Sequence, residues 1–507
     1  MKSEEVQSSN HSNLVLLGLI LGMFITSLDQ TIVATAIPTV VAELGGLTSY
    51  VWAFSAYMIA EIVTMPIFGK LSDMFGRKRL FMIGLSVFIL ASIIAGCATN
   101  MMQLIIARAL QGVGGGALMP IAFTIVFEIF PPEKRSKMQG LLGAVYALSS
   151  ILGPVIGGYF TDFLNWRWIF FINLPIGLFA VALLYKFYAE TFNAKKHRID
   201  WWGMLFLILS MLCIMLALEL GGKQVAWSSP IIFGMIAGFM LFLILFIIVE
   251  KRAIDPIISL SFFKDRLFTI SQGIGFIQGA LMISTISFIP LYIQVVSGGS
   301  ATSAGHIITP MMLGVIISSV IGGKLIEVLT YRSALLISNG IVLLAMFLLS
   351  TLQMGDSQWL IILYMTLSGC GFGIAIPILF TSSAHSLDAS HRGTINSLLS
   401  FFRIIGSTLG VTVLGFIQLS HLQNALQIIA PGKHIDPEVL LQPELQKQFS
   451  ENIVSQLVLA FSDSIVIIFN VSVVIAFVVL VLGLFIGKER APISSPDQEE
   501  QTQVETA

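Results

Sequence analysis

The sequence predicts an all-α membrane protein of fourteen spans, on three observations. Of its 507 residues 56% are hydrophobic and only 11% charged, against about 25% charge in a soluble globular protein. The apolar residues form blocks of roughly 18–25, the length that crosses ~30 Å of hydrocarbon at ~1.5 Å per helical residue. The blocks are continuous and lack the period-two alternation of membrane strands, so each satisfies its own backbone hydrogen bonds in lipid as a helix.

Taken in order, the chain opens with a polar tail, residues 1–13. It has no basic n-region, short apolar core and small-residue cleavage site, so no cleaved signal peptide is predicted. Six spans follow, with cores at 14–37, 51–68, 80–98, 104–127, 141–160 and 169–185. They form a first six-helix bundle over 14–188. A linker, 189–251, enters through the basic segment Lys195 to Asp200 and contains two additional spans, 204–220 and 231–249. A loop at 250–266, with Asp255, Pro256 and Phe262-Phe263, leads to a second six-helix bundle over 252–487. Its spans are 268–295, 304–322, 334–352, 360–381, 395–417 and 461–486. The polar stretch 420–460 reads as a solvated extracellular loop, or in part (Pro443 to Leu459) as an amphipathic interfacial helix. Residues 488–507, rich in Pro, Ser, Gln and Glu, read as a disordered tail.

The cations support this count. With both termini cytoplasmic, 21 of the 27 Lys and Arg fall on inside segments, as the positive-inside rule requires. Only Arg167, Lys223, Lys433 and Lys447 lie outside, and Arg108 and Arg403 lie within spans. One missed or invented helix would erase the bias. All seven tryptophans fall at predicted span ends, where an indole keeps its ring in lipid and its N–H in water.

Composition also excludes functions. A net charge of −1 gives no field for nucleic acid. Cys97, Cys213 and Cys370 lie inside apolar blocks and read as small buried hydrophobes, neither a disulfide framework nor a metal site. There is no Walker A sequence, so ATP does not drive this chain. There is no His-Glu-x-x-His, no nucleophile elbow and no catalytic constellation, so neither an enzyme nor a cofactor is expected. Gly112-Val113-Gly114-Gly115-Gly116 mimics part of a dinucleotide fingerprint, but no strand precedes it, and close helix packing is the better account.

A faint internal repeat is visible. Gly69-Lys70-Leu71-Ser72-Asp73 follows span two, and Gly323-Lys324-Leu325-Ile326-Glu327, with Arg332, follows span ten. Two homologous six-helix halves are a common transporter architecture, with the substrate site between them near the bilayer midplane.

Charged groups within spans are the candidate machinery. Asp29 sits in Ser27-Leu28-Asp29-Gln30-Thr31-Ile32-Val33 of span one. A carboxylate there costs a few kcal/mol, so it must face the bundle interior or be neutral. It reads as a protonation site that also attracts cationic substrate, or as a structural hydrogen-bonded acid. Glu61, mid-span in helix two, has the same two readings. Arg108 in span four cannot deprotonate and needs an anionic or carbonyl partner. Asp29 is a candidate partner, and the alternative is a packing anchor. Arg403 in span thirteen reads either way. Glu219 and Asp463, near span ends, read as interfacial acids.

These residues resemble the major facilitator superfamily. Gly69-Lys70-Leu71-Ser72-Asp73-Met74-Phe75-Gly76-Arg77-Lys78-Arg79 is similar to its cytoplasmic signature. The resemblance implies a conformational latch made of Gly69, Asp73, Gly76, Arg77 and Arg135, with Asp73 capping a helix or pairing with a base in one conformation only. Arg108 with Gln111-Gly112 resembles the span-four motif linked to proton movement. Gly153-Pro154-Val155-Ile156-Gly157-Gly158 resembles the span-five motif of antiporters, in which Gly153, Pro154, Gly157 and Gly158 permit close packing and a kink at the interface between halves. Leu28-Asp29-Gln30-Thr31-Ile32-Val33, Trp166 to Gly177 and the extra span pair resemble the fourteen-span drug/proton antiporter branch, with its EmrB- and QacA-like proteins of Gram-positive bacteria.

The resemblance implies a major facilitator fold and a proton-coupled exporter in the plasma membrane, working by alternating access. Its partners would be amphipathic drugs and dyes, protons and membrane lipids. Asp29, Glu61 and Arg108 would carry proton coupling and substrate. An exporter of one specific lipid, peptide or metabolite is the alternative. The span-ten loop has Glu327 and Arg332 but no full second signature, so one latch is expected.

Overall fold

A computed structural model describes residues 2–44, 52–190, 198–221, 225–296, 301–429 and 451–490. The polar loop core, 430–450, and the C-terminal residues 491–507 lie outside the described residues, as do Lys195 and Lys196 of the linker.

The first half contains α1 (Lys2–Leu44), α2 (Trp52–Phe75), α3 (Arg77–Gly96), α4 (Met101–Ile129), α5 (Pro132–Phe163), the single turn α6 (Trp168–Phe171) and α7 (Asn173–Phe187). The additional pair is α8 (Trp201–Leu220) and α9 (Pro230–Glu250). The second half contains α10 (Arg266–Val295), α11 (Ala301–Val328), α12 (Tyr331–Ser350), α13 (Gln358–Ser383), α14 (Arg392–Ile429) and α15 (Glu451–Leu484). Among the described residues thirteen helical stretches are long and apolar enough to cross a membrane, α6 and α7 counting as one. The remaining expected span lies within α5, whose 32 residues exceed the ~20 a crossing needs. The helices extend beyond their apolar cores. The first begins at Lys2, so the polar N-terminal residues are helical. α14 runs to Ile429 and α15 starts at Glu451, so helix occupies both ends of the 420–460 stretch.

Local chemistry sets the boundaries. The side chains of Asn100, Asp200, Ser229, Asp265, Thr330 and Ser357 each accept a backbone N–H in the first turn of the helix they precede, satisfying donors that have no intrahelical partner. Gly76 separates α2 from α3 with φ +97°, a backbone conformation open to glycine at little cost.

Packing makes the repeat explicit. In the first half α1 packs on α4, α5 and α7, α2 on α4, and α3 on α4 and α7. In the second half α10 packs on α13, α14 and α15, α11 on α13, and α12 on α13 and α15. The halves meet through α2 with α14 and, reciprocally, α5 with α11. The same set of pairings thus occurs twice, related by a pseudo-two-fold exchange. α8 packs against α2 and α14, while α9 touches mainly α8 and shows much of its apolar surface to the surroundings.

One expectation about cysteines changes. Cys213 and Cys370 are partly buried, but Cys97 is exposed. It caps the last turn of α3, where the chain leaves the bundle, so no neighbouring helix covers it.

Candidate functional site

The charged candidates of the first half converge where α1, α3, α4 and α7 cross. Asp29 and Arg108 form an ion pair with side chains 0% and 1% exposed. Gln111 and Asn173 each donate to Asp29 Oδ1 at 3.1 Å. Arg108 also donates through Nε to the Ala53 carbonyl at 2.9 Å and through Nη1 to Gln111 Oε1 at 2.8 Å. Ser92 of α3 accepts from Gln111 at 2.7 Å and from Asn173 at 3.3 Å. The guanidinium carbon lies 4.4 Å from the centre of the Tyr57 ring and 6.0 Å from that of Phe170, within cation–π range. An ion pair taken out of water is tolerated when further hydrogen bonds satisfy its remaining valences, and this one has them.

Glycines make the crossing possible. A Cβ on Gly112 would collide with the Tyr57 carbonyl oxygen, and one on Gly116 with Thr64 Oγ1 and the Glu61 carbonyl. The glycine run therefore brings α4 against α2, as close-packing small residues do in membranes.

Glu61 is arranged differently. It is 6% exposed and its Oε2 accepts from Gln30 at 2.8 Å. Among the described residues it has no salt-bridge partner. Adjacent positions on α1 thus serve two acids: Asp29 is the ion-paired carboxylate, and Gln30 holds the second one.

At the basic ends of the helices, Asp73 of α2 accepts from the backbone N–H groups of Gly393 (2.9 Å) and Thr394 (2.8 Å) and from the Thr394 hydroxyl (2.8 Å). It therefore caps α14 of the other half. Arg77 donates to Asp73 at 3.2 Å and pairs with Glu128 of α4. Tyr188 donates to Glu128 at 2.7 Å, and burial pushes its phenol well above the ordinary range. Glu190 accepts from the backbone N–H groups of Arg77 and Lys78 at 2.5 and 3.1 Å, tying the end of α7 to the start of α3. Asn396 donates to Thr124 at 3.1 Å, and Phe123 stacks on Phe380 at 4.1 Å, so the two halves are closed against each other here.

Of the signature residues, Gly69, Asp73, Gly76 and Arg77 come together. Gly69 lies inside α2, so it provides close approach and no turn: a Cβ there would collide with Ser397 of α14. The turn belongs to Gly76. Arg135 donates to the Phe130 carbonyl at 2.9 Å and lies over Phe127, both within the first half. In the span-five motif Gly153 meets Thr31 and Ile32 of α1, while a Cβ on Gly158 would touch nothing within 4 Å. Gly157 is buried, and the Pro154 side chain lies outside the described residues. The close approach at Gly153 is therefore to α1 within the first half, while α5 as a whole also packs on α11 of the second half.

Sequence reasoning did not single out Ser92, Gln30 or Asn173, nor Gln111 as a ligand of Asp29. The available signal was their polarity inside apolar blocks.

The sequence matches the family model described as Major Facilitator Superfamily over residues 19–411. It is 43% identical over 487 residues to "Multidrug resistance protein 3" of Bacillus subtilis (strain 168), covering 94% of this chain and 95% of the relative. It is 36% identical to "Multidrug transporter protein MdtP" of the same organism, covering 92% of this chain and 89% of the relative. Its fold is similar to the crystal structure of the human organic anion transporter MFSD10 (TETRAN), with a TM-score of 0.61 at 14% identity, over 94% of this chain and 99% of that one. With a family model over most of its length and a relative of this identity spanning nearly all of both proteins, the chain belongs to the major facilitator superfamily of multi-pass membrane transporters.

Proposed function

We propose that this protein is a proton-coupled multidrug exporter of hydrophobic, cationic compounds, working in the plasma membrane by alternating access. Relatives at 43% and 36% identity carry the names multidrug resistance protein and multidrug transporter, which supports the substrate class. The observation that carries proton coupling is the juxtaposition of two buried acids of unlike condition: Asp29 balanced by Arg108, and Glu61 without a salt-bridge partner. An unpaired carboxylate among apolar helices is costly, so Glu61 holds a proton in the closed arrangement and surrenders it when a cationic substrate arrives to take its place.

Alternating access then follows from the repeat. The halves rock about the α2–α14 and α5–α11 contacts. The latch at Asp73 holds the basic ends together in one state and opens in the other. By the positive-inside rule those ends and both termini face the cytoplasm, so the state described is closed on the cytoplasmic side, where it receives protons from outside. Gly153 keeps α5 close to α1, with Pro154, Gly157 and Gly158 in the same stretch, and Arg135 braces the end of α4.

The test is substrate-induced pH change in proteoliposomes over a panel of lipophilic cations and neutral dyes. Proton movement on addition of tetraphenylphosphonium or ethidium supports the reading. Silence across the panel would favour a dedicated lipid, peptide or metabolite exporter.

A further inference from the structure

One buried polar group at the site is unused by the arrangement above. Tyr57 is 0% exposed, and among the described residues its hydroxyl makes no hydrogen bond of good geometry; the polar side chain beside it is Gln30, which is already committed to Glu61. A buried hydroxyl without a partner costs on the order of 1–3 kcal/mol, so it calls for an explanation. The ring explains only half of the residue: it lies beneath the Arg108 guanidinium at 4.4 Å, and a phenylalanine would do that as well. The hydroxyl points past the ion pair to Gly115. A Cβ on Gly115 would stand 2.7 Å from the Tyr57 oxygen and 3.8 Å from Glu61 Oε1, so the two oxygens lie within about 6.5 Å of each other. They sit on one helix four residues apart, the spacing at which side chains meet on a common face. Glu61 Oε2 is engaged by Gln30, whereas Oε1 accepts no hydrogen bond among the described residues.

We infer that Tyr57 is a positioning residue for the proton switch, its hydroxyl held in reserve for Glu61 and donating to Oε1 once that carboxyl has lost its proton. In the protonated state the carboxyl needs no second donor and the phenol stands idle. In the ionised state Tyr57 and Gln30 each donate to one oxygen, and the charge is stabilised without a second cation. Only a side-chain rotation is needed, and no bond to the phenol oxygen is made or broken. Gly115 is the residue that leaves room for this movement, since any side chain there would fill the gap. The charged groups acting on Glu61 are Arg108 of α4 and Asp29 of α1. The elements against α2 otherwise carry Glu128 (α4), Glu219 (α8), His391 in the turn Ala389–His391, Arg392, Arg403 and His421 (α14), and Arg77, Lys78 and Arg79 (α3).

This inference rests on the proposed role of Glu61, and the experiment separates the two. Binding of tetraphenylphosphonium by the detergent-solubilised full chain is measured against pH for the wild type, Tyr57→Phe, Glu61→Gln and the double variant. Tyr57→Phe keeps the ring on Arg108 and removes only the hydroxyl. Losing one hydrogen bond to a charged group is expected to move the binding midpoint to higher pH by about one unit, with the plateau at high pH retained. Glu61→Gln is expected to flatten the profile, and Tyr57→Phe to change nothing further in that background. Tyr57→Phe leaving the wild-type midpoint in place, while Glu61→Gln flattens the curve, would overturn the role of Tyr57 alone. A wild-type profile in Glu61→Gln would overturn both. A Tyr57→Phe shift that persists in the Glu61→Gln background would show that the hydroxyl acts elsewhere, and would overturn the inference.

Discussion

Arg108 and Asp29 are paired at the crossing of four helices, with neither side chain meaningfully exposed. The two members are not equivalent, because a carboxyl can neutralise itself by taking a proton and a guanidinium cannot. Breaking a buried ion pair by removing one partner costs about 3–5 kcal/mol.

Asp29→Asn, which strands the cation, is therefore expected to lower stability by the full amount at every pH near neutral. Arg108→Gln, which strands a carboxyl that can neutralise itself by taking a proton, is expected to cost less. The double variant Asp29→Asn/Arg108→Gln is expected to recover part of the loss. Thermal unfolding midpoints in detergent between pH 5 and 8 check this ordering. Additive losses in the double variant would contradict it.

The cap that Asp73 places on α14 joins residues 321 positions apart in the chain. Hydrogen bonds to a charged acceptor contribute about 1.5–3 kcal/mol each. Asp73→Ala is thus expected to shift the protein towards opening at the basic ends by more than tenfold in population. Spin labels at the exposed positions 79 and 390 would report longer distances. An unchanged distance distribution would show that the halves are held by other contacts.

Gly69 tests the same interface sterically. Its Cβ position is occupied by Ser397. Gly69→Val is expected to wedge α2 from α14 and reproduce the Asp73→Ala distances even though the Asp73 carboxylate is intact. Gly158→Val, at a position with open space around it, is expected to leave these distances at wild-type values.

At the opposite end, Glu43 accepts from the Trp166 indole at 2.7 Å and pairs with Arg167. The Arg167 and Trp166 hydrogen bonds hold its carboxyl below the ordinary value of 4.5. A depressed carboxyl contributes stability that is present above its unfolded value and is lost as pH falls through the folded one. Because Glu43 is largely solvated, the effect is local and small. Tryptophan fluorescence of the wild type minus that of Glu43→Gln is expected to be flat from pH 8 to 5 and to change only below the ordinary carboxylate range.

Much of this was legible in the residues, for physical reasons. Span positions follow from apolar blocks and basic loops, and the pairing of Asp29 with Arg108 follows from the cost of either charge alone in lipid. The partners of Asp73 were not legible: its acceptor role was evident, but Gly393 and Thr394 are ordinary residues until two distant helices are set side by side. The same holds for Gln111, Asn173 and Ser92 around Asp29, and for Gln30 on Glu61. Neutral amides carry no charge signature, and their meaning depends on helix rotation. That Glu61 is left without a salt-bridge partner was not legible either, since helix rotation decides which acid Arg108 can reach.

The most direct test of the account is accumulation of tetraphenylphosphonium in proteoliposomes carrying Glu61→Gln, with and without an imposed pH gradient. The account predicts that exchange of labelled for unlabelled compound continues near the wild-type rate, while the pH gradient no longer drives accumulation. Accumulation at the wild-type level under the gradient would show that the coupling proton is carried elsewhere.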